Sequence, residues 1–95
     1  MRMTPAELRS MAERPDGLTD ELVALWQEAR GDWRGAHVTV QDLHSNDAAW
    51  VHAYLHRREG DDSNARYWYA RAGKPPSRLP LDDEWSAIVS VLLGE

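Results

Sequence analysis

The chain contains no cysteine and no phenylalanine, and only one isoleucine. It also lacks any apolar run near the roughly 20 residues that span a bilayer. Each absence excludes something. Without cysteine there is no disulfide, no thiolate metal site and no cysteine nucleophile. That fits a reducing compartment, and a cytoplasmic location is expected. Met1 to Arg14 carries charges throughout, so the apolar core of a signal peptide is missing. No membrane partner is expected. The net charge of −5 disfavours a nucleic-acid partner, which needs a basic face to neutralise phosphates. No Gly-rich phosphate loop, serine nucleophile motif or paired-carboxylate signature is present.

What remains is helical. Ninety-five residues suffice for one core, so residues 1–95 are read as a single helical domain. Thr4-Pro5-Ala6-Glu7 has the form of a capping box with proline at the first helical position. The first helix is expected to run through Met11 and Ala12 to a break at Pro15-Asp16-Gly17. Leu18, Leu22, Leu25, Trp26 and Ala29 recur at helical spacing after Thr19, and Gly31 closes that helix. Asp32 caps a third helix, and Ser45-Asn46-Asp47 makes a turn and the cap of a fourth. The fourth ends at Gly60, and Asp61 caps a fifth that ends at Gly73. Prolines 75, 76 and 80 force a linker. Asp82, Asp83 and Glu84 then open a last helix. Five tryptophans fall one to each helix after the first, and each indole N–H needs an acceptor. The fold class is therefore all-α, with about six helices.

Two segments align at a shift of 29 residues: Gly31-Asp32 falls on Gly60-Asp61 and Ala36 on Ala65. Each copy reads helix, Gly-Asp corner, helix. Glycine supplies a left-handed helix end, and aspartate caps the next helix. This corner resembles those of tetratricopeptide and Sel1-like repeats. Gly60-Asp61, Ala65, Tyr69 and Ala72 match the pattern, with Pro75 and Pro76 near the closing proline; Gly31-Asp32, Trp33 and Ala36 match it less fully. The resemblance covers residues 18–76 and implies two stacked hairpins between a capping first and last helix. The 29-residue spacing is shorter than the tetratricopeptide period of about 34. His52 also stands where such repeats place a large aliphatic residue. Separately, the run from Trp50 to Gly73 resembles the signature of a family of small bacterial proteins of unknown function. That resemblance implies a site in this run together with His37 and Gln41.

Four histidines are candidates for chemistry. His52 and His56 are one turn apart on one helix face, and Glu59 follows on roughly the same face. His37, followed by Gln41 and His44 on its own face, would complete a metal set if the third and fourth helices pack together. The alternative for these rings is hydrogen bonding at a partly wet helix interface. Asn64 either completes the cap at Asp61 or, as repeat resemblance implies, faces a peptide. Tyr67, Trp68 and Tyr69 diverge by about 100° each, so Tyr69 goes to the core and one of the other two to the surface or under a cover. Glu28, Arg30, Arg57, Arg58 and Glu59 are read as surface charge.

The leading expectation is a protein- or peptide-binding module acting through His37, Gln41, His52, His56, Asn64 and Tyr67, with self-association as a further option. No cofactor is expected in that case. The alternative is a small hydrolase-like enzyme, dependent on histidine or a divalent metal, built on His37, His52, His56 and Glu59.

Overall fold

The computed structural model describes residues 3–94, and all regular structure among them is helical. The helices are α1 (Pro5–Ser10), α2 (Asp20–Ala29), α3 (Trp33–Gln41), α4 (Asn46–Arg58), α5 (Asp62–Ala72) and α6 (Leu81–Leu92). None is long and apolar enough to cross a membrane.

Local chemistry explains most of the helix ends. Thr4 and Glu7 form the reciprocal capping box of α1. Thr19, Asp32, Ser45 and Asp61 each accept a backbone N–H in the first turn of the following helix. The cap of α4 is Ser45, with Asp47 inside its first turn. One boundary differs from expectation. α1 stops at Ser10, and Met11 is extended instead of helical. The Met11 carbonyl accepts both Trp26 Nε1–H and an Arg30 guanidinium N–H, each at 3.0 Å. With Pro15 four residues on and lacking an N–H, this carbonyl has no intrahelical donor, and Trp26 and Arg30 supply its partners instead.

The two Gly-Asp corners have the same shape. Gly31 and Gly60 are left-handed at φ +88° and +89°. Asp32 and Asp61 follow at φ −100°, ψ 69° and φ −95°, ψ 76°. In each, the glycine N–H bonds the carbonyl three residues back, and the aspartate N–H bonds the carbonyl five back. They differ at the third helical residue. Gly35 lets the Asp32 carboxylate close to 2.9 Å of its N–H, in space a Cβ would occupy, whereas Asn64 holds Asp61 at 3.3 Å.

α4 is the central element, packing against α2, α3, α5 and α6. The main core joins Leu8, Leu25, Val40, Leu55, Trp85 and Ile88, among others. Ala53, Ala65 and Tyr69 form a second apolar cluster between α4 and α5. Fully buried Trp85 donates its indole N–H to the Leu25 carbonyl at 2.9 Å. A ring of that size is worth about 3–5 kcal/mol against alanine.

Not all the charge is on the surface. Glu28 and Glu84 are buried, the latter 2% exposed. Tyr54 donates to Glu28 at 2.8 Å, and Arg58 lies 3.5 Å from the same carboxylate. Tyr69 donates to Glu84, which Arg57 also meets at 2.8 Å. Adjacent arginines at the end of α4 thus each answer one buried Tyr–Glu pair. Burial, then the Glu28 charge, pushes the Tyr54 hydroxyl far above its ordinary range. Burial, then the hydrogen bond to Glu84, does the same to Tyr69. A carboxylate taken out of water is tolerated only when charged and hydroxyl donors replace the lost hydration. Here the partners lie 15 to 30 residues away in sequence, so a reading based on local pattern puts Glu28, Arg57 and Arg58 on the surface.

Candidate metal centre

α3 and α4 meet through their histidines. His37 and His52 approach Nε2 to Nε2 at 3.0 Å. The i, i+4 spacing on α4 stacks His56 beside His52, with ring centres 4.8 Å apart. His37 stands edge-on to both, at 4.6 and 5.4 Å. One nitrogen from each of the three rings falls within 4.8 Å of the other two. His52 is 4% and His56 7% exposed, while His37 is half-buried.

Two indoles enclose the group. Trp33, the first residue of α3, stacks on His37 at 5.0 Å. Its N–H is anchored to the Leu55 carbonyl of α4 at 2.7 Å. Trp68 of α5 stacks on His52 at 3.8 Å, and Arg71 lies against the same indole. Trp68 is therefore half-buried against a histidine, and neither the proline-rich linker nor α6 is needed to cover it. Its neighbour Tyr67 is 54% exposed.

Burial, then the neighbouring His37 and His56, lowers His52 to about 4. Burial and His56 also lower His37, against a smaller opposing pull from Glu59. Both rings are held neutral at ordinary pH, the form in which imidazole ligates metals. The Nε2···Nε2 contact requires a proton on one nitrogen and a lone pair on the other. Glu59 sits differently. Its Oε2 meets His56 Nδ1 at 2.7 Å, which leaves Nε2 of that ring for ligation. This is how an outer carboxylate commonly orients a metal-bound histidine.

The other sequence candidates lie apart from this group. Gln41 and His44 are exposed. The Asn64 side chain donates to Asp61 at 3.4 Å, which reinforces the cap. The Tyr67 hydroxyl accepts from Arg71 at 3.1 Å. Sequence reasoning brought His37, His52, His56 and Glu59 together but missed Trp33 and Trp68 as flanking walls. The available signal was the position of Trp33 four residues before His37, one helical turn away. Compared with protein-family models, curated proteins and solved structures, the chain finds no match.

Proposed function

We propose that this domain binds a divalent transition metal of the zinc class through His37, His52 and His56, with Glu59 orienting His56. The observation that carries the reading is the convergence of three imidazole nitrogens from two helices within 4.8 Å. Nitrogens ligating a tetrahedral ion at about 2.0–2.1 Å stand roughly 3.3 Å apart. The His37–His52 pair, at 3.0 Å, is close to that spacing. An all-imidazole set suits zinc, copper, nickel or iron better than magnesium or calcium. Binding would move one Nε2 proton to Nδ1, so that both facing lone pairs serve the ion.

The peptide-binding alternative needs His52 and His56 at the surface, and both are buried. Gln41 and Tyr67 alone remain exposed from that set.

The test is direct. Protein purified without a histidine tag and stripped with a chelator should take up one equivalent of zinc in calorimetry. His37→Ala should abolish uptake while circular dichroism shows the helices intact; this ring is the least buried of the three. Failure of the helical wild-type protein to bind stoichiometrically under excess zinc, copper or nickel would overturn the assignment.

A further inference from the structure

The proline-rich strap that leads into α6 does not lie flat on the helices. Between it and them is a cleft of about 360 Å³. The surface of this cleft is mainly apolar: Trp50 from α4, Ala87 and Ile88 from α6, and Pro75, Pro76 and Leu79 from the strap. No residue of the histidine centre lines it, so it stands apart from the metal assignment. The strap is braced in place. Arg57 donates to the Leu79 carbonyl, and the Leu79 N–H bonds Ser77 Oγ at 3.2 Å. Its prolines have fixed φ angles, so little chain freedom is lost when the cleft fills.

Three charged residues line the cleft: Lys74, Arg78 and Glu84. Glu84 is already met by Arg57 and Tyr69. Lys74 and Arg78 form no ion pair among the described residues. Asp47 and Asp83 stand one turn before Trp50 and Ala87, yet neither lines the cleft. Acidic residues outnumber basic ones 16 to 11 in this chain, so composition alone would give these cations partners. Instead the Lys74 ammonium rests 4.3 Å from the centre of the Trp50 ring.

We propose that this cleft binds a small aromatic carboxylate, its ring against Trp50 and the prolines and its carboxylate toward Lys74 and Arg78. An apolar concavity with a few polar groups that fix orientation is the usual form of a small-molecule site. The apolar wall calls for a ring, and the two unpaired cations call for an anion. A more highly charged group such as phosphate would hold its hydration too strongly against such a wall.

The full chain, isotope-labelled for NMR, is titrated with naphthoate and, separately, with naphthamide, which keeps the rings and lacks the charge. The expected result is saturable shifts at the Trp50 indole N–H and the Ala87 backbone N–H. Naphthamide should bind at least about 10-fold more weakly. Replacing both cations, Lys74→Gln with Arg78→Gln, should bring naphthoate down to the level of naphthamide. Helical content should hold, because both side chains are exposed. Ala87→Trp, which fills the cleft from an exposed position, should end binding of both probes. Equal affinity of the wild type for the two probes would overturn the anionic assignment. An absence of saturable shifts at millimolar naphthoate, or binding that survives Ala87→Trp, would overturn the site. Shifts at the same residues on raising protein concentration alone would give the cleft to a second copy and overturn the proposal as well.

Discussion

The two helical hairpins, α2–α3 and α4–α5, turn through the same corner but fill their interiors differently. Shifting by 29 residues places His52 on Val23, His56 on Gln27 and Trp68 on Thr39. In the first hairpin Thr39 donates to Gln27 at 2.7 Å, and Val23 is a buried aliphatic. In the second, the corresponding positions hold two stacked imidazoles under an indole. One frame thus supports either an ordinary polar bridge or a cluster of ionisable rings. The chemistry resides in three side chains, and the corner needs none of them.

That contrast can be broken most sharply at His52. Replacing it with valine, the residue of the first hairpin, should eliminate zinc binding in calorimetry while preserving helical content. Retained stoichiometric affinity would show that His52 is packing alone.

The next effect is on pH. With metal removed, His52 titrates near 4 when folded and near 6.5 when unfolded. Below 6.5 the unfolded chain binds more protons, so stability falls as pH drops from about 6.5 to 4. The full loss is about 3 kcal/mol, to which His37 adds in the same direction. Urea unfolding across that range should show the slope, and His52→Val should flatten most of it. An equally steep slope in the variant would place the proton uptake elsewhere.

A smaller change is expected from Glu59→Gln. The amide still reaches His56 but no longer supplies a charge, so zinc affinity should fall about 10–100-fold. Stability should change little, because Glu59 is exposed. Unchanged affinity would reduce the 2.7 Å contact to a surface hydrogen bond.

The smallest effect compares the corners themselves. Gly31→Ala and Gly60→Ala each force a side chain into a left-handed backbone with open space around it. Each should cost about 1 kcal/mol by thermal or urea unfolding, and the two costs should agree. A large disparity would mean that the corners are alike in shape and unlike in load.

What could be read from sequence follows the range of the interactions involved. The Gly-Asp corners and the caps at Thr4, Thr19 and Asp61 depend on neighbours within three to five residues, so their pattern is visible along the chain. The His52–His56 face follows from helical spacing alone. His37 could be joined to it only by supposing that α3 and α4 pack together, which they do. α1 ends before the expected Met11 and Ala12, and the donors that meet the extended Met11 carbonyl, Trp26 and Arg30, are distant in sequence and leave no local mark. The expected surface position of Glu28 fails, and the burial of Glu84 has no sequence mark, because both depend on tyrosines and arginines distant in sequence. Nothing local marks a glutamate whose partners come from one or two helices away along the chain.

The neighbouring arginines that close α4 have a consequence for how the molecule comes apart. Arg58 reaches back to Glu28 on α2, and Arg57 reaches forward to Glu84 on α6 and the Leu79 carbonyl before it. Fraying that single turn removes the arginine from two buried carboxylates at once, on opposite sides of the chain's midpoint, and leaves each with its tyrosine donor. The last helix, though tethered by a proline-rich strap, is therefore no detachable appendage. It should open in concert with α2, as one cooperative unit, with α4 as the shared hinge pin.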